Sequence, residues 1–319
     1  MRLERLVVGV DFSAASVAAA KWAATHFAPG AELTLVHAVY VPEPPRFLRG
    51  RFPPVEGVVE NARRGADARL AELAASLPRL GAGTVRAEVR VGRPEYEVAR
   101  AANVWNADVV VVGRHGERPV PWNALGATAQ HLVEISPVPV LLATGLRDVR
   151  PRGILVPLTD SDVAPCVLQW VRFLGTRFGA SVTALHVIGS AVMAHLLAAA
   201  PTVVAGGQPD YFVPPDANRL RAVAEVRGDA DRWLAGLLRT DVSRDRATSE
   251  VTFGEAGQEI LAAAERLGSE LIVMGRQREG ALRRAILGSV TGEVLRGANC
   301  PVLVVGEPED EIGGGGLGA

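Results

Sequence analysis

Runs of residues from the first half of this chain return in the second half, in the same order. Arg5-Leu6-Val7-Val8-Gly9-Val10 returns as Gly153-Ile154-Leu155-Val156-Pro157-Leu158, and residues 30–37 return as residues 179–186. Asp108-Val109-Val110-Val111-Val112-Gly113 returns as Glu270-Leu271-Ile272-Val273-Met274-Gly275, and Pro139 with its following apolar run matches Pro301. Trp22 and Trp170 stand at the same distance into the segment after the first run. A fixed internal repeat means that one supersecondary plan must serve both copies. The 319 residues suit two domains of ordinary size,. The charged, proline-bearing stretch 147–152 reads as a linker, which places the domains at 1–147 and 151–306.

Each copy reads β-α-β-α-β-α-β-α-β. Residues 6–10, 33–39, 85–91, 109–112 and 138–142 are short apolar runs without clean alternation, as expected of strands buried on both faces of a parallel sheet,. Val98, Ala99, Ala102 and Trp105 fall on one helical face, and Ile260, Leu261, Ala264 and Leu267 keep the spacing,. Alternating strands and helices predict an α/β fold of two tandem doubly wound parallel-sheet domains. The second copy carries an apolar insert near 190–218, read as a loop packed on its own domain, with a lid or a partner surface as the alternatives. Residues 178–209 contain no Lys, Arg, Asp or Glu and are long enough to span a bilayer,. Their glycines, histidines and β-branched run favour a buried strand and an apolar loop, with no membrane span. The glycine-rich tail 307–319 reads as disordered,.

Composition narrows the function. A formal net charge of -1 argues against a nucleic-acid binder,. Two cysteines, Cys166 and Cys300, give neither a disulfide framework nor a zinc pairing; both read as small buried residues, and a cytoplasmic location is expected,. No P-loop, no G-x-G-x-x-G after the first strand, no G-x-S-x-G elbow and no clustered histidine spacing occur, so no metal site is expected,.

Ligands of open α/β sheets bind beyond the carboxyl ends of the strands. The first strand ends at Asp11, which can accept hydrogen bonds from ribose hydroxyls or simply cap the next helix, a role also open to Ser13 or Ser16. The fourth strand ends in Gly113-Arg114-His115-Gly116, and nine residues later Gly126-Ala127-Thr128 opens a helix. Glycines allow close approach and positive φ, and a helix N-terminus offers N–H groups to phosphate. The plain alternative is a loop with turn glycines. Arg114 and Arg118 meet phosphate or face water, His115 fills the loop, and His37 and His186 pack the ends of the second strands.

With Asp11, Gly113-x2-Gly116-x9-Gly126-Ala127 and Gly275-x2-Arg278-x9-Gly288-Ser289 in view, the chain resembles the universal stress protein family, specifically its tandem members. The resemblance covers residues 1–306 apart from the apolar insert and implies an adenine-nucleotide-binding, HUP/Rossmann-like fold. It implies that ATP, with or without Mg2+, lies against Gly9, Val10, Ala38 and Val112. Asp11 would hold the ribose, and the amides of Gly113, Gly116, Gly126 and Ala127, with Thr128 beside them, would hold the phosphates. The second site would use Pro157, Leu158, Thr159, Val187, Met274, Gly275, Arg278, Gly288, Ser289 and Val290. It is expected to be impaired, because Thr159 replaces the carboxylate and Arg278 replaces a motif glycine. The first site loses only one hydroxyl, at Ala127, worth about 0.5–1.5 kcal/mol. The resemblance further implies that the halves pack through their last strands and that two chains pair as a homodimer. The expected function is nucleotide-dependent regulation or partner choice in a stress response, with an unidentified protein partner. A slow ATPase using Asp11 or His115, and a nucleotide-free scaffold, are the rivals; no catalytic residue is assigned.

Overall fold

A computed structural model of the chain describes residues 1–42, 55–116, 124–197, 217–241, 246–276 and 287–306. The first half runs β1 (Arg5–Gly9), α1 (Ala14–Trp22), β2 (Glu32–Val39), α2 (Val55–Ser76), β3 (Val85–Val91), α3 (Pro94–Val104), β4 (Val109–Gly113), α4 (Ala127–Ile135) and β5 (Val140–Ala143). The second runs β6 (Gly153–Pro157), α5 (Ala164–Phe178), β7 (Ser181–Gly189), α6 (Ser190–Leu197), α7 (Ala217–Asp241), β8 (Ala247–Gly254), α8 (Ala256–Arg266), β9 (Leu271–Gly275), α9 (Ser289–Gly297) and β10 (Val302–Val305). The expected α/β fold with parallel sheets is present in both halves.

The strands form one 10-stranded sheet in the order β3-β2-β1-β4-β5-β10-β9-β6-β7-β8. Every pairing is parallel except β5 with β10, where Leu142 opposes Val302 and Val140 opposes Val304 in antiparallel register. The last strand of each half is therefore the seam. Strand residues alternate between two buried layers. Leu6, Val8, Leu33 and Val111 face α1, α2, α5 and α7, whereas Val7, Val36, Val110 and Val112 face α3, α4, α8 and α9. Burial on both faces explains why these runs lack polar alternation.

Local signals set the element ends. Ser13 caps α1 by accepting from the Ser16 N–H, and Gly179 ends α5 at φ 65. β5 begins at Val140, two residues later than the apolar run suggests, because Pro139 has no N–H to donate to the ladder,. β1 likewise ends at Gly9, although Val10 N–H still donates to Val36 O at 2.9 Å. The insert differs from the loop expected: Ser190–Leu197 is a helix, as a run with Ala, Met and Leu but no Gly or Pro allows,. Residues 198–216 and the tail 307–319 lie outside the described residues. Among the described residues, no helix is long and apolar enough to cross a membrane. At the seam, Gly145 sits at φ +53 with the Asn299 carbonyl where a Cβ would be. Only glycine meets both demands.

Candidate functional site

Both carboxyl sheet edges hold a cavity. In the first half it measures about 100 Å³. Gly9, Val10 and Asp11 line it from the end of β1, Ala38 from β2, and Val112, Gly113 and Gly116 from β4 and its loop. Thr128 lines it from the start of α4, whereas Gly126 and Ala127 flank that start without lining the cavity. Val36, Pro94, Val98 and Leu132 complete an apolar wall. Sequence reading passed over this wall. Sequence marks Val98 only as part of a helix face, and its repeat partner Ile260 occupies the same place in the second cavity.

Asp11 serves the local fold and faces the site at once. Its Oδ1 accepts from Ser13 N–H at 3.0 Å and from the Ser13 hydroxyl at 2.6 Å. Its Oδ2 points at Gly116, where a Cβ would lie only 2.5 Å away. Gly113 is similarly tight, with the Ser16 amide nitrogen 3.1 Å from a hypothetical Cβ. None of Gly113, Gly116 and Gly126 has positive φ. These glycines are required for close approach, not for the left-handed conformation that sequence reasoning also allowed. Positive φ at this sheet edge belongs instead to Phe12, between β1 and α1, at 65°. Its ring lies 4.6 Å from His37 and beneath the Arg69 guanidinium.

Gly126 is the N-cap of α4 and Gly288 that of α9, and neither makes a side-chain capping bond. First-turn N–H groups have no intrahelical acceptors, so both helices aim donors and a positive dipole end at the sheet edge. One expected donor is withdrawn: the Gly126 N–H is held by Arg114 O at 3.0 Å. Arg114 also departs from both of its expected roles. It lines the first cavity, yet it is only 6% exposed and its guanidinium donates to the Ala298 carbonyl of the other half. Burial lowers its pKa, opposed by Cys300. Burial also pushes the Cys300 thiol up to about 12, against the pull of Arg147 and Arg114. His37 and His186 fit the packing role. Each Nδ1 lies on a carbonyl, Val10 O at 2.8 Å and Leu158 O at 2.9 Å, which pins the second strand to the end of the first.

The second cavity is larger, about 290 Å³. Pro157, Leu158, Thr159, Val187, Met274, Gly275, Gly288, Ser289 and Val290 all line it. Ser161 and Thr291 add hydroxyls that sequence reading did not select, although Ser161 matches Ser13 in the repeat. The volumes therefore run opposite to the ranking drawn from the motifs. Arg278 and Arg118 lie outside the described residues. Among the described residues, no group of three His, Cys, Asp or Glu side chains could hold a metal ion.

Comparison with known proteins adds to this geometry. The profile of the Universal stress protein family matches residues 2–144 and again 151–306. A universal stress protein of Methanocaldococcus jannaschii is 43% identical over 160 residues, 50% of this chain and 85% of that protein. One from Mycobacterium tuberculosis is 25% identical over 318 residues, covering 94% of this chain and 96% of its own length. The crystal structure of a universal stress protein from Archaeoglobus fulgidus superposes with a TM-score of 0.65 at 18% identity, over 97% of this chain and 98% of that one. That likeness speaks for the fold.

Proposed function

The chain belongs to the universal stress protein family, and on that premise we propose that it binds ATP, chiefly in its first half, as a nucleotide-dependent module of a stress response. The observation that carries this reading is the meeting of three chemistries at one sheet edge. Ala38, Val36 and Val98 offer an apolar wall for a purine, Asp11 a carboxylate for ribose hydroxyls, and the start of α4 unpaired donors for phosphates. The amides of Ala127 and Thr128 would take the phosphates, since Gly126 is already satisfied. Mg2+ would arrive as the counter-ion of the nucleotide. Bound ATP acts by linkage: it favours whichever conformation or complex binds it better. A homodimer of tandem chains and a protein partner complete the proposal.

A second reading has one observation in its favour. The larger cavity belongs to the second half, with hydroxyls at Ser289 and Thr291 close to the start of α9. On that reading the second half takes the nucleotide despite Thr159. Calorimetric titration of the full chain with ATP decides between them. Asp11→Lys abolishes binding on the first reading, whereas Val187→Trp, which fills the second cavity, abolishes it on the second. Flat titrations of the wild-type chain with ATP, AMP and cyclic AMP overturn both.

A further inference from the structure

We propose that Arg114 and Arg276 are positioning residues that couple the two sites, each steadying the phosphate-facing helix of the opposite half. This inference rests on the nucleotide reading above and adds to it a route between the halves. The two arginines are repeat equivalents, each following the glycine that ends a central strand, Gly113 of β4 and Gly275 of β9. Arg276 does not line the cavity of its own half, and Arg114, which does line its own, sends its guanidinium across the seam. Arg114 crosses the seam and donates from Nη2 to the Ala298 carbonyl, the C-cap of α9. Arg276 crosses in the other direction and donates from Nη1 to the carbonyls of Val133 and Glu134 in the last turn of α4. Both side chains are buried, at 6% and 5% exposure.

The acceptors give the exchange its meaning. The last carbonyls of a helix have no intrahelical donors, and its C-terminus carries the negative end of the dipole. α4 has no basic residue in its last turn, so Arg276 brings it a cation from the other half. The N-terminus of the same helix faces the first cavity. Gly275, the residue before Arg276, in turn lines the second cavity. Thus a ligand held against Gly275 fixes the backbone from which Arg276 reaches the carbonyl end of α4, and through that helix steadies its amide end. Arg114 and α9 form the mirror path. A ligand that stiffens one path leaves less ordering to be done by the next, so the coupling is positive and reciprocal.

The test pairs hydrogen exchange on the ligand-free full chain with ATP titration. Arg276→Gln is expected to speed exchange across residues 127–136 by about fivefold to thirtyfold, the range of a lost charge at a helix end, while β7 stays protected. Arg114→Gln should do the same to α9 and leave α4 unchanged. In a Val187→Trp background, where ATP reports the first half alone, Arg276→Gln should weaken ATP binding at least threefold. If Arg276→Gln fails to fold, Gly306→Ala replaces it, since a Cβ there would lie 2.7 Å from Arg276 Nη2 and displace the guanidinium. Exchange in α4 that holds within twofold overturns the proposal. So does faster exchange with unchanged first-half affinity. A wild-type chain that binds no ATP yet shows the mirrored exchange response overturns the nucleotide reading and leaves the cross-seam positioning standing.

Discussion

Replacing Gly116 with alanine isolates the contact on which the first site is built. The new Cβ would lie 2.5 Å from Asp11 Oδ2, well inside van der Waals contact, so the carboxylate must turn. Turning it breaks the two bonds that Oδ1 accepts from Ser13, at 2.6 and 3.0 Å. Such bonds contribute about 0.5–1.5 kcal/mol each, and Asp11 is exposed, which favours the lower end. Against this, alanine loses less chain entropy on folding than glycine. That favours Gly116→Ala by about 0.4–1 kcal/mol where φ is permissive, and Gly116 is not among the positive-φ residues. The net expectation is a destabilisation of about 0.5 kcal/mol in the wild-type chain. In an Asp11→Ala background the clash and its consequence vanish, and the same substitution should stabilise by about 0.5 kcal/mol. Urea midpoints of the four proteins, at unchanged slope, measure the cycle. A cost of the same sign and size in both backgrounds would refute the placement of Gly116 against Asp11.

Two further perturbations probe the seam. Cys300, pushed from the ordinary 9.0 up to about 12 by burial, holds its proton when folded but releases it when unfolded above about pH 9. Stability is therefore intact below pH 9 and falls as pH rises toward 12, by about 2 kcal/mol at pH 10.5 for that shift. Urea midpoints at pH 8 and 10.5 should show this slope reduced in Cys300→Ala, and equal slopes would argue against a buried thiol. Gly145→Ala adds a Cβ against the Asn299 carbonyl at φ +53 and should cost about 3 kcal/mol or more. A thermal shift smaller than 2 °C would contradict the close seam.

Much of the architecture was legible because it rests on repetition and burial. Val7, Val8, Val110 and Val111 have no polar neighbours to alternate with, so the parallel sheet and its order of elements follow from them. Asp11, Gly113 and Gly116 were legible as an edge cluster because topology alone brings strand ends together, whereas Ala38 came only with the family resemblance. The pattern was silent where side-chain direction decides. Arg114 reads in sequence as meeting phosphate or facing water, and only the seam shows that Ala298 O takes it. The glycines pointed to a need for small residues but not to its reason, which is Asp11 and the Ser16 amide rather than positive φ. Ser190–Leu197 read as loop because its apolar residues lack a one-sided period, although each of them tolerates a helix. Pro94 and Val98 could be placed on α3 but not on the cavity wall, because no local signal fixes how far a helix overhangs the sheet.

A crystal of the full chain grown with ATP tests the central claim most directly. The account predicts a purine against Ala38 and Val98, ribose oxygens at Asp11 and phosphates at the first turn of α4. Clear density for the apo cavities at saturating ATP, with no nucleotide at either sheet edge, would contradict it.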